Sequence, residues 1–155
     1  MAKKLLFVCL GNICRSPAAE AVFLYQTKDT SEHYLVDSAG TGGWHVGRLA
    51  DARMRDAALR RGITINSRAR QISLKDFEEF DLILTMDNAN LADVKSLAKE
   101  INCPDKAKII PLLSYAKNTE LIEVPDPYYG GEKGFEEVLD LLEDAISGLL
   151  YELRE

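Results

Sequence analysis

Histidine and cysteine are scarce in this chain: two of the first and three of the second in 155 residues. Cys9, Cys14 and Cys103 form no Cys-x-x-Cys pair, and His33 and His45 add no ligand spacing, so a zinc site and any other metal are not expected. An odd number of cysteines without framework spacing also argues against a disulfide scaffold. Long apolar runs are absent, and nothing approaches the roughly 20 residues of a membrane span. The apolar stretch after Lys4 stops at Gly11, too soon for a secretory signal, so a cytoplasmic protein with no membrane partner is expected. Positive charge is in deficit: the net charge is −6, which disfavours sequence-independent binding to nucleic acid. Repeats and low-complexity segments are missing too. What remains, 46% hydrophobic and 28% charged, reads as one globular domain over residues 1–155.

Short apolar strands alternate with helices. Leu5 to Leu10 is a continuous apolar run ended by Gly11 and Asn12, the pattern of a strand buried on both faces. Ser16 and Pro17 read as a helix cap and first helical residue, with the helix carried to about Lys28. Tyr34 to Val36 is a second strand, followed by a glycine-rich loop from Ser38 to Arg48. A helix from about Ala50 ends at Arg60, Arg61 and Gly62. Ser73 to Asp76 resembles a capping box. Phe80 to Met86 is the third strand, Ala89 to Lys99 a helix, Ala107 to Leu113 a fourth strand ended near Pro111, and about Gly134 to Leu153 an amphipathic helix. The expected fold is α/β, a four-stranded parallel sheet with helices on both faces. Such sheets bind ligands beyond the carboxyl ends of their strands, and Cys9 stands at one.

From Cys9 to Ser16 the chain passes from a strand end to a helix start. The free N–H groups and positive dipole end of that helix suit an anion. Gly11 and Asn12 tolerate the left-handed backbone that curls successive N–H groups into a nest, and Arg15 adds a fork for two phosphate oxygens. A cysteine facing these groups is expected to react as a thiolate nucleophile. The string Gly-x4-Gly-Lys-Ser/Thr of nucleotide-binding loops is absent, and Gly11 stands alone where a dinucleotide fold needs three glycines. The anion therefore sits over a nucleophile, which points to phosphoryl transfer to sulfur.

The segments LFVCLGNICRSPAAEAVF and VPDPYYGG closely resemble the low-molecular-weight protein tyrosine phosphatases. VDSAGT, RARQI, FDLILTMDNAN and AKIIPLLSY fall between them in the order of that family. The resemblance implies that family's four-stranded fold and a cofactor-free, metal-independent hydrolysis of phosphotyrosine through a phosphocysteine. Cys9 is then the nucleophile, and Leu10, Gly11, Asn12, Ile13, Cys14 and Arg15 hold the phosphate. Ser16 donates to the departing thiolate. Asp126, by composition alone a turn residue between two prolines, becomes the general acid and then the base; neither histidine is needed as one. Ile13, Trp44, His45, Tyr128 and Tyr129 are implied to wall a slot for the substrate ring, although partial burial is the commoner fate of aromatics. Asn12, Ser38 and Ser67 stand where the family supports its loop, with serine at 67 in place of the histidine of animal members. Asp87 reads as an N-cap or structural acid. Cys14 is either a small buried side chain or, as the resemblance implies, the redox partner of Cys9. The implied partners are phosphotyrosine-containing proteins or peptides, with the chain a monomer or weakly self-associating.

Two neighbouring activities share such a loop. Thioredoxin-coupled arsenate reductases need two further cysteines after the third strand, and Thr85 to Lys99 holds none. Protein-arginine phosphatases carry threonine where this chain has Ile13, and an apolar side chain there suits an aromatic ester better than a charged phosphoguanidinium.

Overall fold

A computed structural model describes residues 3–101, 107–128 and 130–154; Cys103 and Tyr129 lie outside the described residues. Four strands, β1 (Lys3–Cys9), β2 (Tyr34–Gly40), β3 (Leu82–Thr85) and β4 (Lys108–Pro111), form a parallel sheet in the order β2-β1-β3-β4. Among the described residues five helices flank it: α1 (Arg15–Gln26), α2 (Ala52–Leu59), α3 (Asp76–Glu79), α4 (Asn88–Ala98) and α5 (Glu132–Leu153).

The alternation of side chains along β1 divides the core. Leu5, Phe7 and Cys9 point into a cluster with α1, α2 and α5, whereas Leu6 and Val8 point into a second one with Phe77 of α3 and Val94 of α4. Both sets are buried, as the unbroken apolar run predicts. Burying each such Leu or Phe contributes roughly 1.5–3 kcal/mol, so the position of Cys9 is set by the best-packed strand in the molecule. On α5 the buried side chains recur at Phe135, Val138, Leu139, Leu142, Ile146 and Leu149, one helical face. Gly148 lets that face close: a Cβ there would stand 1.9 Å from the Tyr115 carbonyl oxygen.

Several boundaries differ from the sequence reading. β1 stops at Cys9, and Leu10 is exposed because the chain already turns into the loop. β2 runs four residues past Val36 because its polar residues are used: Asp37 faces Arg70 and Ser38 bonds Glu20. β4 ends at Pro111, the proline near which the strand was expected to stop, and Leu112 and Leu113 drop into the core from a 3₁₀ turn. α1 begins at Arg15, so Ser16 lies inside the first turn and is not its cap; no side chain caps that helix. At α3, Asp76 accepts from the Ser73 N–H at 2.8 Å, the returning half of a capping box, but it is the first residue of the helix. Asp87 does cap α4, accepting from the Asn90 N–H at 2.7 Å.

Beyond the carboxyl ends of β1 and β3 the chain diverges. It leaves β1 toward β2 on one side and returns through β3 on the other, which opens a crevice at Cys9.

Candidate active site

The loop between β1 and α1 has its outward groups satisfied. The carbonyls of Cys9, Leu10 and Ile13 accept from the N–H groups of Thr41, Gly42 and Asp51 at 2.9, 2.9 and 2.8 Å. Because a trans peptide is planar, the following N–H groups of Leu10, Gly11 and Cys14 point the opposite way. Those residues line one cavity of about 410 Å³, so the nest opens where an anion would enter. Asn12 bends the loop. It is the one non-glycine residue with positive φ among those described, at 58°, a conformation that costs an L-residue roughly 1–2 kcal/mol. Gly40 packs beneath it, where a Cβ would meet the Leu10 carbonyl oxygen at 2.8 Å.

Cys9 sits at the bottom of the cavity, 2% exposed. Its Sγ lies 3.0 Å from Ser16 Oγ and 3.4 Å from the Ser16 nitrogen, whose N–H donates to it. Ser16 therefore spends its hydroxyl on the sulfur rather than on the helix end. Arg15 is equally buried. Its Nη1 donates to Asp87 Oδ2 at 2.7 Å and to the Val124 carbonyl at 3.0 Å, and its Nη2 lies 3.6 Å from Asp126 Oδ2. Burial pushes the guanidinium pKa down, but Cys9, Asp87 and Asp126 more than offset this and hold it above its usual value. Asp126 accepts from the Tyr128 N–H at 3.1 Å through Oδ1, an Asx turn that aims the carboxylate into the cavity mouth.

The rim is more open. Ile13, Trp44, His45 and Tyr128 line it, and Trp44 is 70% exposed. Arg53 braces Tyr128, donating to its carbonyl at 3.0 Å with its guanidinium over the ring. Cys14 is buried beside Cys9, and its thiol pKa is raised, first by burial and then by Asp51, Cys9 and Asp126.

The support network departs from the sequence reading. Asn12 is not joined to Ser38. Its amide reaches Ser16 Oγ at 2.7 Å, and its carbonyl accepts from the Arg70 N–H at 2.9 Å. Ser38 donates instead to Glu20 at 2.7 Å, and the nearby Ser67 also favours the ionised form of that carboxylate. Glu20 follows Ser16 by one helical turn, and its pKa is raised chiefly by burial.

The sequence profile of the low molecular weight phosphotyrosine protein phosphatases matches residues 4–155. The chain belongs to this family. A low molecular weight protein-tyrosine-phosphatase of Streptomyces coelicolor is 44% identical over 159 residues, all of this chain and 96% of the relative. The protein tyrosine phosphatase of Entamoeba histolytica superposes with a TM-score of 0.90 at 45% identity, covering 99% of this chain and 97% of its own. A Drosophila arginine phosphatase superposes with a TM-score of 0.94 at 34% identity, covering 98% of each chain. The cavity brings together the loop and Asp126 that the sequence singled out, whereas Arg70, Glu20, Gly40 and the hold of Asp87 on Arg15 were not singled out. Each of these acts across the fold, and only the glycine-rich stretch around Gly40 gave any local signal.

Proposed function

We propose that this single domain hydrolyses phosphotyrosine in proteins or peptides. The reading rests on Cys9, Arg15 and Asp126 meeting in one cavity, with the Cys9 sulfur beneath the Ser16 hydroxyl and N–H. The Cys9 thiolate attacks phosphorus while the P–O bond to the tyrosine breaks and the phenolate takes a proton from Asp126. Loop N–H groups and Arg15 hold the three equatorial oxygens, whose charge spreads in the transition state. Water then attacks the phosphocysteine, Asp126 takes its proton, and the S–P bond breaks with Ser16 stabilising the thiolate that leaves. No step requires a metal or cofactor. Ile13, Trp44 and Tyr128 form an apolar and aromatic wall suited to a phenyl ring, while a short phosphoserine would not reach the sulfur. His45 belongs to the same rim.

A second substrate, phosphoarginine, is favoured by the likeness to the Drosophila arginine phosphatase. Phosphate release from a phosphotyrosine peptide, a phosphoserine peptide and phosphoarginine, in EDTA, with wild type and Cys9→Ser, separates these readings. Turnover of phosphotyrosine alone, lost in Cys9→Ser, is expected. Preferred turnover of phosphoarginine would replace the proposed substrate, and metal-dependent or Cys9-independent turnover would overturn the mechanism. Cys14 is assigned the partner thiol of a reversible disulfide with Cys9. Recovery from peroxide by a dithiol should then be poor in Cys14→Ser, and unchanged recovery would contradict that role.

A further inference from the structure

Asn12 and Ser16 have their hydrogen bonds arranged in one direction. The Asn12 amide donates to Ser16 Oγ at 2.7 Å, so the serine oxygen is already an acceptor and keeps its single proton to give. The Cys9 sulfur, at 3.0 Å, is nearer than the alternative acceptor, the Ala39 carbonyl at 3.3 Å. Asn12 thus orients the hydroxyl toward the sulfur while itself holding a left-handed backbone. The other end of its carboxamide needs a donor, and that donor is the backbone N–H of Arg70.

Residue 70 lies in no helix or strand. Its peptide touches the sheet edge only through the Gly40 N–H, which donates to the Arg70 carbonyl at 2.9 Å, and the adjoining Ile72 N–H to Gly40. The side chain supplies what the backbone lacks. Its Nε donates to Asp37 Oδ2 on β2 at 3.0 Å, and its two terminal nitrogens bond both oxygens of Asp76 on α3, each at 3.0 Å. A bidentate pair to a carboxylate that is 4% exposed fixes direction as well as distance. Asp76 is itself tied to the Ser73 N–H. The residue whose N–H holds Asn12 is therefore clamped from two elements.

We infer that Arg70 is a positioning residue of the catalytic loop: the Asp37–Arg70–Asp76 clamp sets the Arg70 N–H that holds Asn12, and through Asn12 it sets the Ser16 hydroxyl on Cys9. This rests on the proposed reading of Cys9 as the nucleophile. Arg70 touches neither substrate nor sulfur. Its influence runs through one carboxamide, which makes the inference separable from a general loss of stability.

The test is a double-mutant cycle on kcat and KM for a phosphotyrosine peptide, using wild type, Arg70→Met, Asn12→Ala and the double variant. Arg70→Met should lower kcat about 10-fold with KM changed less than about 2-fold, while in the Asn12→Ala background it should change kcat less than about 2-fold. Arg70→Lys, which keeps the charge but not the fork, should recover only part of the loss. Should Arg70→Met fail to fold, Asp37→Asn removes the more exposed anchor and should cost about 3-fold in kcat, again only when Asn12 is present. An equal loss in both backgrounds, or an unchanged kcat, would overturn the inference and leave Arg70 a stabilising clamp. Absence of phosphotyrosine turnover in wild type, or its survival in Cys9→Ser, would instead overturn the functional reading beneath it.

Discussion

The floor and the rim of the cavity are built in opposite ways. On the floor, Cys9, Asn12, Arg15 and Ser16 are each at most 2% exposed, and nearly every polar atom has a named partner. On the rim, Trp44 is 70% exposed and Asp126 and Tyr128 stand in an irregular segment. A buried polar network tolerates little displacement, because a group that loses its partner there cannot turn to water. An exposed rim can change residues at small cost. Chemistry common to a family belongs in the first environment and choice of substrate in the second.

The largest break in this contrast is at Asp126, the one proposed catalytic group on the rim. Asp126→Asn should lower kcat/KM for phosphotyrosine by about 100- to 1,000-fold, and much less for an aryl phosphate whose phenol leaves without a proton. Equal losses on both substrates would remove its role as general acid. On the floor, Asp87→Asn separates two functions of one residue. Asparagine caps a helix about as well as aspartate, so α4 should keep its stability, while Arg15 loses a charged partner and kcat/KM should fall about 10-fold. A fall in melting temperature without loss of activity would reverse that assignment.

Glu20 offers a pH test of the floor. Its pKa is raised by burial, so the folded state holds this proton more tightly than the unfolded chain does. Its ionisation therefore costs nothing below the unfolded pKa and destabilises progressively as pH rises through and above it. Glu20→Gln should gain stability relative to wild type at pH 7 compared with pH 4. The opposite trend in thermal unfolding would mean that Ser38 and Ser67 stabilise the carboxylate more than burial opposes it. The smallest effect is expected at Trp44. Trp44→Ala should raise KM for a phosphotyrosine peptide about 3-fold, with kcat and melting temperature nearly unchanged. A large drop in kcat would place Trp44 with the floor.

What the sequence revealed follows the same division between local and distant. The loop from Cys9 to Ser16 is contiguous, and the order strand, Gly-Asn, helix carries its chemistry on its face. Arg70 meets Asn12 across 58 positions and Asp87 meets Arg15 across 72, and no periodicity encodes either meeting. Ser16 shows why a correct motif can still mislead in detail. Ser-Pro is a good cap pattern, yet the helix starts two residues earlier and the hydroxyl is drawn to the sulfur and to Asn12. Ser38 likewise reads as a loop support, but its partner is Glu20, four residues along α1 from Ser16. The sheet itself was legible because short apolar runs had no other way to be buried. β2 outran its apolar stretch only because Asp37 and Ser38 found polar partners.

In the proposed reaction Cys9 takes the phosphoryl group. Acid quench of Asp126→Asn during turnover of an aryl phosphate, followed by mass spectrometry of the peptides, tests it most directly. One phosphoryl group is expected on the peptide carrying Cys9, absent when Cys9 is replaced by serine. Turnover at the same rate with no phosphoryl on that peptide, or with the group on another residue, would contradict it.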